Sequence, residues 1–594
     1  MKRGFDKLLS DGKGKQLIWL LGLTVCVFII AIVVSVFAYD GLAWQQVIAV
    51  LLDPGCYGNS GWKYDWLLLP LAMFSLVFLS GLLVSTFTNV VENISESVRM
   101  GRRRYDVNGH TLIIGAGRQL APILEALKES QKEVVVMSEE RPTVQGNYIY
   151  YCGKRDNMDD LRSARPEYAK TIYIIGEDNE SDHDSKTIKA INLLQELTKN
   201  SSQEKIYCYA TLLDRVSSEV YEYSKQKSNG KLLLVDVIND YEYLSQLLMF
   251  NTDFLPIIKA GDHRRSHIVI YGNDHIAQNV AYTAAHISHY ATFKEGDPAT
   301  KTCITIIGED MRRKLDNLIA ARPALFEMSV YTYIDANGNK EVHTPKHDFL
   351  DIEWQFVDTY STSQLARDLV TDIHNADNEI LTIVVANENP AEATRTVLHL
   401  PREVYSNNIA VYMEHSADVI ALSKETNMYG KIVIFGAAGT LSDPLFKSRS
   451  IMGQRVNFVY DQEYIKSPNE EVAWYSISES NKYSSIYCAI AMPMRERCFD
   501  MNGDRTPIYE AEHRRWMMSE LLMGWEPRPE SDPMPLAELI KKENKDKQQQ
   551  YKSHFIHYDI VPFLKLPETE QIKDKNLIDA MPHIIHGPAL DIDI

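Results

Sequence analysis

Two stretches of the chain carry no charge and few polar groups. Gln16 to Tyr39 reads QLIWLLGLTVCVFIIAIVVSVFAY, and Trp66 to Val91 reads WLLLPLAMFSLVFLSGLLVSTFTNVV. Each supplies the ~20 apolar residues that cross a hydrocarbon layer of about 30 Å as a helix. Between them, Leu42 to Leu52 is apolar everywhere except Gln45 and Gln46. That run predicts three helical turns, about 16 Å, or half a membrane. Lys2, Arg3, Lys7, Lys13 and Lys15 precede the first run, and Arg99, Arg102, Arg103 and Arg104 follow the second. The positive-inside rule then expects a multi-pass protein of the plasma (inner) membrane with both termini cytoplasmic. The first run is too long for the apolar core of a signal peptide, which is the rival reading.

A half helix followed by DPGCYGNSG fits a re-entrant pore helix and ion filter. Its C-terminus carries partial negative charge, which favours a cation. Backbone carbonyls and the Asp53 carboxylate would replace part of an ion's hydration shell. The candidate filter is Asp53, Pro54, Gly55, Cys56, Tyr57 and Gly58. An extracellular loop lying on the bilayer surface is the alternative. The residues leave potassium and calcium both open as permeant ions. Two spans cannot enclose a path alone, so the reading expects a homotetramer in the lipid bilayer. Gly81 is a candidate hinge in the second span, or a helix-packing residue.

After Arg104 the period changes. Strand-like runs at 110–115, 133–140, 148–153, 171–178, 206–214 and 231–238 alternate with amphipathic stretches. This predicts a doubly wound parallel sheet. Gly115 and Gly117 follow the first strand, and Glu139 ends the next, which is most of a dinucleotide fingerprint with Leu120 in place of its third glycine. Gly115, Gly117, Arg118 and Glu139 are the candidate residues for a nucleotide or NAD-type ligand; an empty structural turn is the alternative. The pattern repeats from HIVIYGNDHIAQNVAYTA (267–284) through runs at 303–310, 380–390, 409–422 and 431–439. There Asp274 stands at the second glycine position and would repel a phosphate. Between 451 and 500, VNFVYDQ and SSIYCAIAMP read as short strand-like pieces of a connecting segment.

The last hundred residues read as helical. In YEAEHRRWMMSELLMGW (509–525), Glu512, Arg515, Trp516 and Ser519 fall on one helical face, and Gly524 ends the helix. Glu512, His513, Arg515, Trp516 and Trp525 are candidate ligand residues, since an indole stacks on a base and an arginine pairs with phosphate. The plainer reading makes the tryptophans core anchors and leaves the basic residues solvated.

Composition narrows the classes. A net charge of −18 over 594 residues argues against a nucleic-acid binder. Seven cysteines without a CxxC pair argue against a zinc site or disulfide framework. No proton-transfer constellation accompanies the first glycine turn, so an NAD-dependent enzyme is disfavoured and no catalytic residue is assigned.

ENISESVRMGRRRYDVNGHTLIIGAGRQL (92–120) resembles the junction between pore helix and regulatory domain in Castor/Pollux ion channels. The resemblance implies a tetrameric cation channel with tandem Rossmann-like RCK (TrkA-N) domains. Family filters read Asp-Ala-Gly or Asp-Ser-Gly followed by Asn-His, whereas this chain has Asp53-Pro54-Gly55 and no such pair. EHRRW with GW (512–525), followed by PFLKLP and KDKNLIDAMP, resembles the ryanodine receptor (RyR) repeat, a small helical module. The expected organisation is a pore over 1–100, RCK domains over 105–260 and 261–450, a connector over 451–500 and an RyR-like domain over 501–594. The fold class is thus an α-helical membrane pore fused to α/β Rossmann-like domains and a mostly α module. The expected activity is a ligand-gated channel, potassium the leading ion; a non-conducting anchored sensor or adaptor is the alternative.

Overall fold

The computed structural model describes residues 13–38, 44–59, 65–76, 80–128, 133–177, 180–201, 203, 205–214, 217, 221, 233–250, 254–414, 432–436 and 444–587. The chain divides into two compact units, 1–105 and 106–594.

In the first unit the leading apolar run forms the helix Lys13–Ala38. In the second run the described helices are Asp65–Phe74, which contains Pro70, and Ser80–Arg99, with 77–79 outside the described residues. Among the described residues, no helix is long and apolar enough to cross a membrane. The described part of the intervening run is the helix Trp44–Leu52. Its buried face, Val47, Val50 and Leu51, packs against Ala31 of the first helix and Leu68, Leu71 and Ala72 of the third.

The second unit holds two large, mainly parallel sheets. Strands β1 (Thr111–Gly115), β2 (Val134–Ser138), β3 (Ile149–Cys152), β4 (Thr171–Gly176), β5 (Ile206–Thr211) and β6 (Leu233–Ile238) lie in the order β3-β2-β1-β4-β5-β6. All six strands fall where the apolar runs predict. Every residue of β1, β2 and β4 is buried, as strands covered on both faces require. Gly115 ends β1 at φ +108°, and a Cβ there would collide with the Gly176 backbone at the end of β4. Only glycine lets the two strand ends approach so closely.

The second sheet has eight strands: β7 (Arg265–Tyr271), β8 (Thr302–Gly308), β9 (Val330–Ile334), β10 (Lys340–His343), β11 (Ile352–Asp358), β12 (Glu379–Val385), β13 (Asn408–Tyr412) and β14 (Ile432–Phe435). Their order is β10-β9-β11-β8-β7-β12-β13-β14, with β10 antiparallel to β9. Gly272 repeats the role of Gly115, at φ +140° against the Ala386 carbonyl.

The connector expected to be strand-like is helical. VNFVYDQ lies in the helix Pro444–Tyr464 and SSIYCAIAMP in the helix Glu479–Cys498, with Glu470–Ser476 between. The tail, expected as an RyR-like domain over 501–594, shares its core with the second sheet region. Ile490 and Met492, Met517 and Leu521 of the helix Thr506–Leu522, and Ile584 share one core with Ile268, Ile304 and Trp354 of the second sheet. The helices Glu479–Cys498 and Thr506–Leu522 pack on the helix His275–Ile287, which itself lies on that sheet.

Candidate functional site

At the first glycine turn, Gly117 N–H donates to the Gly176 carbonyl at 2.9 Å. The Ala116 N–H, one of the groups that would hold a phosphate, donates to Glu177 Oε2 at 3.2 Å. A carboxylate of the chain thus stands where the anion was expected. Arg118 is committed as well. Its Nη2 lies 3.1 Å from Asp240 Oδ2, its Nη1 lies 3.1 Å from Glu414 Oε1, and its guanidinium covers the Tyr241 ring. Burial works against the Arg118 charge, but Asp240 and Glu414 raise its pKa further above its usual value. Arg118 braces the first sheet's turn to the helix Asp240–Phe250 and to the segment after β13. Glu139 stands one residue past β2, exposed, with Lys154 Nζ at 3.7 Å.

The second turn is closed in the same way. Asp274 caps the helix His275–Ile287 by accepting from Ala277 N–H, and its Oδ2 accepts from Glu388 N–H at 2.7 Å. Glu388 Oε1 in turn accepts from His275 N–H at 3.1 Å. The expectation that Asp274 disfavours a phosphate agrees with this arrangement, since two carboxylates occupy the helix N-terminus.

The half helix ends at Asp53. Gly55 N–H donates to Asp53 Oδ1 at 2.9 Å, and Cys56 N–H donates to the Asp53 carbonyl at 3.0 Å. Pro54–Asn59, covering Gly55, Cys56, Tyr57 and Gly58, is a 3₁₀ turn rather than an open loop. Carbonyls in such a turn are directed to N–H groups three residues on. Ser75 Oγ donates to the Leu51 carbonyl, one of the groups left over at the helix end. Ser60 and Gly61 lie outside the described residues. Gly81 is the second residue of Ser80–Arg99, and its surroundings also lie outside them.

In the C-terminal helix, Glu512 and Arg515 are buried, not lining an open pocket. Glu512 accepts from Arg515 at 2.9 Å and pairs with Arg495 of the preceding helix, all three at 0–1% exposure. Burial opposes the Glu512 charge, but the two guanidiniums hold its pKa down to about 2. Arg515 is therefore part of the frame. Nor are His513 and Arg514 solvated. His513 Nε2 lies 2.8 Å from the Val561 carbonyl and Nδ1 3.1 Å from Asp574. Arg514 Nε donates to Asp351 Oδ2 at 2.7 Å, and the same carboxylate holds His289 Nδ1 at 2.8 Å.

The tryptophans stand apart from this frame. Trp516 and Trp525 are half-buried. His557 meets Trp516 edge-on at 4.7 Å and Trp525 at 5.7 Å, and His513 stacks on Trp516 at 5.4 Å. His557 Nδ1 accepts from Asp559 N–H at 3.3 Å. Burial, then Lys552 and Lys573, push its pKa down to about 3, so the ring is neutral. Glu520, one turn after Trp516, is buried, and burial pushes its carboxyl up to about 8. Asp559 is likewise buried, and burial and Glu570 carry it up to about 7. The sequence pointed to the two tryptophans. It gave no signal for Glu520 or Asp559, whose roles depend on burial alone. Among the described residues there is no group of three or more metal-ligating side chains.

No family model matches the chain, and no curated protein matches it. Solved structures do. The GsuK channel bound to NAD is 11% identical over 71% of this chain and 81% of that one, at a TM-score of 0.41. GsuK bound to ADP is 13% identical over 71% and 95%, at 0.40. The human SLO3 gating ring is 11% identical over 57% and 81%, at 0.33. At these identities and scores the likeness carries no argument for what this chain binds or conducts.

Proposed function

We propose that the chain is one subunit of a ligand-gated cation channel in the plasma (inner) membrane, four copies surrounding a path for potassium. The observation that carries this reading is the half helix Trp44–Leu52, seated by Val47, Val50 and Leu51 between flanking apolar helices. A short helix ending at a carboxylate directs a negative dipole end toward a cation. The two doubly wound sheets form the transducing ring of the Castor/Pollux-like, RCK type. The ligand is small, planar and nucleotide-like, and it is held at the RyR-like tail by Trp516, Trp525 and His557 rather than by Arg515. A ligand opens or closes such a path only through its differential affinity for the two states.

The full chain in liposomes tests this. Potassium flux that changes when a nucleotide panel is added, and loses that response with Trp516→Ala, supports the reading. Absence of flux under every condition rejects it. A second reading, a non-conducting membrane-anchored sensor, is favoured by the 3₁₀ turn at Pro54–Asn59, which engages the carbonyls a filter would offer. No enzymatic activity is proposed.

A further inference from the structure

The turn that carries His557 into the aromatic cluster is held at several points. Glu526–Pro527 and Ile556–His557 pair as two short strands, with Pro527 opposite His557. Asp559 N–H donates to His557 Nδ1 at 3.3 Å, and Val561 N–H donates to the Asp559 carbonyl at 2.8 Å. The Val561 carbonyl in turn bonds His513, whose ring stacks on Trp516. The backbone of Asp559 therefore orients His557 directly and His513 through Val561.

The side chain of Asp559 has a different neighbour. Asp559 is 6% exposed and faces Glu570 of the helix Glu568–Asp579, close enough to hydrogen-bond carboxyl to carboxyl. Two carboxylates have no donor between them, so one of the pair carries a proton. The charges around the pair agree. Lys573 forms its ion pair with Glu570. His513 also faces Asp559, but its Nδ1 is bound to Asp574. Tyr558 and Tyr464, which also face the pair, bring no positive charge. Asp559 thus lies beside groups already engaged by other carboxylates, and burial, then Glu570, lift its carboxyl to about 7. Its stabilising contribution is complete below the ordinary value of 3.8 and is lost as pH rises through about 7. Past that point two negative charges face each other in the interior. Moving the Asp559 backbone relieves the repulsion and breaks the His557 contact.

We propose that Asp559 and Glu570 share one proton, and that this proton holds His557 in place against Trp516 and Trp525, so that the tail's ligand slot is lost as pH rises. The inference rests on the reading of that slot as the ligand site and adds what regulates it.

Hydrogen exchange of the full chain in nanodiscs, read at about pH 6 and about pH 8.5 and corrected for the intrinsic rate, tests this. The parent is expected to lose protection over 555–562 by up to about ten-fold per pH unit above the midpoint. Asp559→Asn keeps a donor where the proton stood and is expected to hold its protection. Glu570→Gln supplies the donor from the other side and serves if the first variant does not fold. Glu520→Gln removes the other carboxyl that burial raises near the slot, and the pH effect should persist in it. Equal protection at both pH values in the parent overturns the proposal. So does a loss that persists in the donor variants or disappears in Glu520→Gln. Quenching of tryptophan fluorescence by ATP, the probe nucleotide, separates the proposal from the ligand reading. Quenching that weakens with pH in the parent but not in Asp559→Asn supports both. Loss of protection with no quenching at either pH removes the ligand reading and leaves the shared proton standing. Equal quenching at both pH values despite that loss overturns the link between the proton and the slot.

Discussion

At the scale of single residues, Glu512 carries the largest electrostatic stake. It neutralises Arg515 and Arg495, and Arg495 Nε and Nη2 already lack partners among the described residues. Glu512→Ala leaves two buried guanidiniums uncompensated and is expected to cost about 3–5 kcal/mol. A fall in the thermal midpoint of the full chain checks this, with exposed Glu139→Gln as the neutral control. The folded pKa of Glu512 lies below its ordinary value of 4.5, at about 2. Its contribution is therefore complete above about pH 5 and is lost as pH falls toward 2. Glu520 has the opposite sign. Its carboxyl is raised from 4.5 to about 8, so its neutral form is the one the fold prefers. The associated stability is present below about pH 4.5 and is lost as pH rises through 8. Glu520→Gln mimics the neutral form and is expected to melt higher than the parent chain at pH 9, with the difference vanishing near pH 4. None of this was legible from residue spacing. The i, i+3 step joins Glu512 to Arg515, but Arg495 reaches Glu512 from another helix, and only the packing reveals it.

At the scale of elements, the sequence was readable wherever burial is two-sided. β1, β2 and β4 are nearly unbroken apolar runs because helices cover both faces. β9 to β11 went unread, since β10 is largely exposed and β11 alternates buried and half-buried positions. The helices between 444 and 498 were misread for a related reason. Tyr487 through Met492 are all buried, so the helical period that exposed faces provide is absent and a short apolar run resembles a strand. The glycine turns were legible as turns but not as closed ones, since Glu177 and Glu388 lie far from them in the sequence. Their backbone requirement is testable. Gly272→Ala places a Cβ against the Ala386 carbonyl at a positive φ and is expected to destabilise by more than about 1 kcal/mol. Chemical denaturation of the full chain, followed by circular dichroism, measures it.

At the scale of the whole molecule, the second unit is tied together by charged contacts that cross between layers. Lys482, itself buried, reaches Asp236 of β6 at 2.9 Å, and Tyr475 donates to the same carboxylate at 2.9 Å. Arg514 reaches Asp351 just before β11. Arg514→Ala leaves Asp351 with His289, whose pKa burial lowers, and is expected to loosen the tail from the sheet. Hydrogen exchange should rise over 506–522 and 352–358 while β1 to β4 stay protected. Unchanged exchange in those segments would show that apolar packing alone holds the layer.

The shared core has a consequence for how this chain can be cut and recombined. The tail resembles a cassette that could be exchanged among receptors, yet its Met517 and Leu521 share a core with Ile276, Val280 and Ala284 of the helix His275–Ile287, which itself lies on the second sheet. Deleting everything after 443 would bare the outer side of that helix and is expected to yield insoluble protein. A chimera that carries the donor's matching inner helix along with its tail helices is the smallest transplant that leaves neither partner with a wet interior.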